Sequence, residues 1–390
     1  MIITKSKKPN IFQNLRYLEV SEIITKKTNN KSNLQVNVQI IGKLAEEKII
    51  VKKSKDIGRL FNKSHFGTLS SNNQLQLDLI ESAFLIDEGK IRIFHKKNEL
   101  NFQDLIKIAV QKISDFEIKY LMFKDLRNRG HPVKLSERKK PATFYRFKQR
   151  KDIDSQKGQC FISSFSERDF LDLENTINLI KKIKNINGIL WYGIVDEEGD
   201  ITYYDIDSFE INGDIKEHIF SKAEGFLLKN RVVIFDKKLS EDLIKKEFFG
   251  KPFGNGLQLS IVESLYLLEK GVIDVKSVNG KKITKKRLIN TINKLQPDIE
   301  TRFPVFKDLK KRGFIVKTGF KFGAHFRVYT QQIDEAHAEY LIHVVDKEFK
   351  GTWAEMSRAV RLAHSVNKEF VFARVNGNII DYIKLGRLRP

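Results

Sequence analysis

The stretch "LQLDLIESAFLIDEGKIRI", Leu75 to Ile93, returns as "LQLSIVESLYLLEKGVIDV", Leu257 to Val275. Glu81 falls on Glu263, and Gly89 falls on Gly271. Nearly the same shift lays "FKDLRNRGHPVK", Phe123 to Lys134, on "FKDLKKRGFIVK", Phe306 to Lys317, and "HFG", His65 to Gly67, on "FFG", Phe248 to Gly250. Matches in one order at a nearly constant offset mean two copies of a unit of about 180 residues, not a solenoid of short repeats. Within each unit the apolar residues of the first stretch recur at helical spacing until the glycine stops them. Strand patterns, a helix and a closing hairpin follow.

With 390 residues and 41% apolar composition the chain can bury more than one core. Lys and Arg number 71 against 49 Asp and Glu, a formal charge of +22. Such a field attracts phosphate polyanions or an acidic membrane surface. Nucleic acid is favoured, because no segment has the basic, apolar pattern of a membrane-surface helix and no apolar run is long enough to span a bilayer. The start, "MIITKSKKPNIF", has no apolar signal region, and the lone Cys160 allows neither a disulfide framework nor a cysteine zinc site. The expectation is a soluble cytoplasmic protein.

Polar chemistry concentrates near the end of the second copy. In "GFKFGAHFRVY" the residues Phe320, Phe322, Phe326 and Val328 alternate with Lys321, Gly323, His325, Arg327 and Tyr329, which predicts one strand with Tyr329 on its wet face. "AEYLIHVV" reads as a central strand with His337 just before it. "TWAEMSRAVRLAHSVNK" opens with Thr352 and Glu355 at capping-box spacing and points Trp353, Met356, Val360 and Ala363 inward. Arg361, His364 and Lys368 fall on another face. "EFVFARV" then turns at Asn376-Gly377 into "IIDYIK". Taken alone, these are also what a wet strand face and a basic helix look like.

The first copy differs at three polar positions. Aligned by the scaffold, Phe147 stands opposite Tyr329, Lys157 opposite His337 and Gly188 opposite Lys368. Structural residues persist in both copies of a duplicated unit, so the pattern points to one copy that kept a site and one that lost it.

"RGFIVKTGFKFGAHFRVY", "HAEYLIHVV" and "RLAHSVNKEFVFARV" closely resemble the catalytic region of archaeal tRNA-splicing endonucleases, and "FFGKPFGNGLQLSIVESLYLLEKG" resembles their amino-terminal domain. The resemblance is strong over Lys216 to Tyr382 and weaker over Val36 to Ile206. It implies a mixed α/β (α+β) chain of two tandem repeats, each an amino-terminal α/β domain followed by a restriction-endonuclease-like catalytic-type domain. The expected division is an extension, 1–35, then 36–105 and a degenerate 106–212, then 213–288 and an active 289–390. The doubled arrangement resembles the homodimeric type of the family.

The resemblance carries over Tyr329, His337 and Lys368 as catalytic residues. It implies metal-independent cleavage of precursor tRNA with no cofactor. Tyr329 takes the proton of the 2′-hydroxyl beside the scissile phosphate, His337 protonates the leaving 5′-oxygen, and Lys368 offsets charge on the phosphoryl oxygens. A tyrosine is a poor base at its reference pKa of about 10, so cations are expected close by. Arg361, two turns before Lys368, matches a family arginine that stacks on a bulged base, with Lys384, Arg387 or Arg389 left open as its partner. The hairpin "VDEEGDITYY" of the first copy carries Asp196, Glu197, Glu198 and Asp200, where the second reads "VNGNIIDY". In the family an acidic loop at this place docks into a basic groove of a partner subunit.

Three segments have double readings. "INGDIKEHI", Ile211 to Ile219, is a junction between the repeats, and "VNGKKITKKR", Val278 to Arg287, is either a link inside the second repeat or a solvated turn. "SERKKPATFYRFKQRKDIDSQKGQC", Ser136 to Cys160, mixes cations with rings that can stack on bases, Lys157 among them, but also suits a decayed strand with a basic loop. A non-catalytic RNA-binding subunit would explain the charge without explaining the Tyr, His and Lys set. A metal-dependent DNA nuclease would need clustered carboxylates, and a nucleotide enzyme a glycine-rich phosphate loop.

Overall fold

The computed structural model describes residues 40–136, 142–147, 159–332 and 337–390. Lys157, most of the basic segment around it and the extension 1–35 lie outside these. No described helix is long and apolar enough to cross a membrane.

The chain divides into two compact units, one of Met1–Ser166, Gly193–Ile201 and Pro390, the other of Glu167–Tyr192 and Thr202–Arg389. The repetition is plain in their sheets. In the first, strand Ile41–Ala45 pairs antiparallel with Lys48–Val51 and parallel with Arg92–His95, and Leu75–Leu77 adds to the far side of Lys48–Val51. In the second, Ala223–Leu227 pairs antiparallel with Val232–Ile234 and parallel with Ile273–Ser277, and Gly256–Leu259 follows in the same place.

The matched stretches become helices Leu79–Asp87 and Ile261–Glu269, each opened by a capping box, Asp78 with Glu81 and Ser260 with Glu263. The same glutamates reach further. Glu81 Oε1 accepts the Gly67 N–H at 2.8 Å, and Glu263 Oε1 accepts that of Gly250 at 2.9 Å. A lysine, buried in the first copy and partly buried in the second, closes each cradle: Lys134 Nζ donates to the Gly67 carbonyl, and Lys317 Nζ donates to the Gly250 carbonyl at 2.9 Å. Both glycines have positive φ, +67° and +61°, and a Cβ there would meet a backbone oxygen within 2.6 Å, so the HFG and FFG motifs need their glycine. Sequence identity between the copies therefore marks a buried polar joint.

In the second unit, strands Ile315–Thr318, Phe326–Tyr329, Tyr340–Asp346, Glu369–Asn376 and Ile379–Leu388 lie side by side in that order. Ile201–Ser208 of the first repeat joins the last of them, Tyr203 opposite Leu388 through Ser208 opposite Ile383. Helix Trp353–Ser365 has the expected capping box and buries the four expected residues. Trp353 is fully buried and stacks on Tyr204, ring centres 5.8 Å apart.

The strand expected over Phe320 to Tyr329 is shorter. Residues Phe320–Phe322 form a 3-10 turn, because Phe322 N–H returns to the Gly319 carbonyl and Gly323 takes a left-handed φ of +65°. Phe320, expected on the buried face, is 86% exposed.

Candidate active site

Tyr329 closes strand Phe326–Tyr329 opposite Ile315. It is 5% exposed, so its ring is not on a wet face as the alternation predicts. Ala338 and Ile315 pack with it, and Ile215 and Phe248 cover them. Ile215 comes from the expected junction between repeats, which is a pinned wall of the site. Gly213 N–H donates to the Arg312 carbonyl at 2.9 Å, Asp214 N–H to Thr330 at 2.9 Å and Ile215 N–H to Gly313 at 3.0 Å. A Cβ on Gly213 would lie 2.2 Å from the Gly313 oxygen, so this approach of two backbones requires glycine.

His337 is exposed and stands at a cleft of about 510 Å³ lined also by Ile211, Glu339, Asn367, Glu369 and Lys384. The loop that carries it is clamped at its base. The Glu339 carboxylate accepts the Thr330 N–H at 3.0 Å and the Thr330 hydroxyl at 2.6 and 2.7 Å, while Glu339 N–H donates to Val328 at 3.1 Å.

Lys368 is delivered by the end of helix Trp353–Ser365. Its N–H returns to the Ala363 carbonyl at 2.9 Å and that of Asn367 to His364 at 3.1 Å, with Asn367 at φ +53°. This is a Schellman turn. It sends Lys368 Nζ to the Ala338 carbonyl at 2.8 Å, the residue after His337. Burial, and after it the Arg327 charge, holds the Lys368 amine below its ordinary range. Arg327 also sets its guanidinium 5.8 Å from the Tyr329 ring centre.

The three expected residues thus meet around Ala338: Tyr329 against its side chain, His337 before it, Lys368 on its carbonyl. His325 and His343 are engaged elsewhere, and His364 is exposed on its helix. His325 Nδ1 accepts the Val344 N–H at 2.9 Å, Nε2 lies 3.4 Å from Asp298, and the ring packs 4.7 Å from His343. Burial pushes His343 down to about 4.

Arg361 and Arg387 are exposed. Both act on the Tyr204 phenol, whose pKa burial raises while the Ser357 hydroxyl, then Arg387 and Arg361, oppose the rise. Lys384 instead pairs with Glu369 at 3.3 Å and faces the His337 cleft. In the acidic hairpin, Asp196 Oδ1 accepts the N–H groups of Glu198 and Asp200 at 3.0 and 2.9 Å. Asp196 builds the turn that exposes Glu197, Glu198 and Asp200.

In the first copy, Phe147 is 2% exposed and meets His65 edge-on at 5.6 Å, where the second copy places Tyr329 near Phe248. Gly188 N–H returns to Ile183 at 3.0 Å beside Asn187 at φ +54°, the same turn that presents Lys368. Sequence reasoning missed Glu339, Arg327 and the wall at Ile215. Glu339 faces Gln159 in the QCFI and EYLI alignment, and Arg327 alternates onto the side of Tyr329, so both carried a signal.

Comparison with known proteins identifies the domains. Residues 299–382 match the tRNA intron endonuclease catalytic C-terminal domain, and residues 40–106 and 223–289 each match the tRNA intron endonuclease N-terminal domain. A tRNA-splicing endonuclease of Methanococcoides burtonii is 35% identical over 353 residues, covering 89% of this chain and 99% of the relative. That of Methanosarcina mazei is 32% identical over 85% of this chain and 94% of its own length. The Methanococcus maripaludis enzyme is 36% identical over 166 residues, 42% of this chain but 93% of the relative. Long relatives thus match the doubled chain and a short one matches a single copy. The chain belongs to the tRNA-splicing endonuclease family.

Proposed function

We propose that the chain is a homodimeric tRNA-splicing endonuclease that removes introns from precursor tRNA. Cleavage falls at bulge–helix–bulge sites, needs no metal, and leaves 2′,3′-cyclic phosphate and 5′-hydroxyl ends. The observation that carries this reading is the convergence of Tyr329, His337 and Lys368 on Ala338 in one copy, at positions that hold Phe147, Lys157 and Gly188 in the other.

The RNA brings its own nucleophile. Tyr329 accepts the 2′-hydroxyl proton as the 2′-oxygen bonds to phosphorus, and His337 gives a proton to the 5′-oxygen as its bond to phosphorus breaks. Arg327, 5.8 Å from the tyrosine ring centre, is the cation suited to hold the phenolate. An ammonium has three donors, so Lys368 keeps its bond to Ala338 while turning another N–H to a phosphoryl oxygen. Arg361 and Arg387, which share Tyr204 as a neighbour, are the pair for a bulged base, and Lys384 serves the cleft beside His337.

The test is purified protein with an intron-containing precursor tRNA in EDTA, beside the His337→Ala variant, with end-group analysis. Cyclic phosphate ends from the wild type, absent in the variant, are expected. No cleavage by the wild type would favour a binding subunit, and cleavage only with added magnesium would refute the chemistry.

A further inference from the structure

The Lys-rich stretch Val278 to Arg287 is not a link of solvated turns along its whole length. Helix Lys285–Asn293 starts inside it, capped by Thr284, whose side chain accepts the Arg287 N–H at 3.3 Å. Leu288 and Ile292 are fully buried, which fixes the helix against the core of its domain. That rotation leaves Lys286, Arg287, Asn290, Thr291 and Lys294 outside, where with Thr284 they line a surface depression of about 530 Å³. Its lining has three cations, two hydroxyls and an amide, and no carboxylate.

Two neighbouring cations are neutralised. Lys285 pairs with Glu269 and lies 4.9 Å from the Phe303 ring centre, and Lys282 pairs with Asp274 at 3.4 Å. Among the described residues, Lys286, Arg287 and Lys294 make no ion pair. Lys286 and Arg287 also stand in the first turn, where the helix dipole disfavours positive charge, and no acid offsets them there. An arrangement that is locally unfavourable in the free protein is relieved by an anion.

The other repeat supplies the comparison. Its helix Phe102–Lys112 starts at the equivalent cap, Asn101, and buries Leu105 and Ala109 where the second copy buries Leu288 and Ile292. Gln103, Asp104 and Gln111 occupy the positions of Lys286, Arg287 and Lys294. Asp104 completes a capping box, the ordinary solution for a helix start. The packing face is shared, but the first copy sets one exposed lysine, Lys107 at the position of Asn290, against Asp104, while the copy that carries Tyr329, His337 and Lys368 has three cations and no acid there.

We propose that this face of helix Lys285–Asn293 binds the phosphate backbone of the RNA substrate outside the cleavage site. Lys286, Asn290 and Lys294 run along the helix axis for about 12 Å at 1.5 Å per residue. At roughly one charge per 3.4 Å of strand, that stripe spans about three or four phosphates. A continuous polyanion suits it better than the acidic hairpin of a second copy, because Asp196 commits an oxygen to its own turn. The inference rests on precursor tRNA being the substrate.

The experiment measures binding of full-length precursor tRNA and of a short hairpin holding only the two cleavage sites, over a salt series. It uses wild type, Lys286→Gln/Arg287→Gln/Lys294→Gln, and Arg287→Asp. On full-length RNA the triple variant should lower the slope of log K against log salt by about 2 to 3, at roughly 0.7 to 0.9 per lost contact, and on the hairpin by less than 1. Arg287→Asp should raise Tm, because it restores an acid to the first turn, and still weaken full-length binding. An unchanged full-length slope overturns the inference alone. So does a triple variant that becomes a monomer by light scattering, because the face is then a subunit contact. A wild-type protein that binds neither RNA overturns both this inference and the proposed substrate.

Discussion

Removing the Glu339 carboxylate should loosen the His337 loop before it touches any chemistry. The carboxylate holds Thr330 by its N–H at 3.0 Å and by its hydroxyl at 2.6 and 2.7 Å, so two donors from one end of the loop meet one charged acceptor at the other. Hydrogen bonds to a charged group contribute about 1.5 to 3 kcal/mol each, and a half-buried site favours the lower end. Glu339→Ala should therefore cost about 3 kcal/mol locally, or roughly a hundredfold in the equilibrium for opening. Hydrogen exchange reads this at two amides beside the clamp: Asp214, bonded to the Thr330 carbonyl, and Glu339 itself, bonded to Val328. Both should lose about a hundredfold in protection, and Glu339→Gln, which keeps one acceptor, should lose less. A displaced acid slows the chemical step, so kcat for precursor tRNA should fall by roughly 10 to 10²-fold with KM little changed. Unchanged protection in Glu339→Ala would refute the clamp. Lost protection with wild-type kcat would show that the clamp does not position His337.

Two further outcomes follow from the surface residues. Arg361→Ala and Arg387→Ala should each weaken binding of bulged RNA more than of plain duplex, by about 0.5 to 2 kcal/mol for a lost cation–π contact; equal losses on the two RNAs would mean simple phosphate contacts. Asp196→Lys combined with Glu198→Lys should halve the mass in light scattering or abolish cleavage. The Asp196→Asn variant separates loss of the turn from loss of charge, because its side-chain oxygen can still accept the two N–H groups. Unchanged mass and activity in the charge reversal would remove the hairpin from assembly.

What was legible in the sequence was whatever a local rule controls. Helix Trp353–Ser365 declared itself because the Thr352 cap, the Glu355 partner and the 3.6-residue spacing of Trp353, Met356, Val360 and Ala363 all agree. The alternation from Phe320 to Tyr329 misled because another local rule competes with it. Glycines at 319 and 323 allow a 3-10 turn that closes on itself within four residues, so Phe320 leaves the sheet. Tyr329 then ends in a pocket whose cover, Ile215, lies more than a hundred positions away. No periodicity near Tyr329 reports that cover, and none reports the carboxylate that spans the loop from Glu339 back to Thr330.

The duplicated unit separates residues that hold the fold from residues kept for another reason. Glu81 with Lys134 and Glu263 with Lys317 survive in both copies because the two glutamates and Lys134 are buried, and Lys317 is partly buried, around a positive-φ glycine. Removing one partner of such a pair leaves a buried charge uncompensated, at about 3 to 5 kcal/mol. Asn187 and Asn367 survive because a left-handed φ of +54° and +53° ends the helix there, a conformation asparagine tolerates better than most residues. The next residue is Gly188 in one copy and Lys368 in the other, inside the same turn with the same backbone hydrogen bond. The turn forms with either residue, so the backbone does not require the lysine. Its amine also suffers desolvation and the repulsion of Arg327 where it stands. A side chain that the turn does without, and whose charge its surroundings disfavour, is what the proposed role of Lys368 at the phosphoryl oxygens would leave in one copy alone.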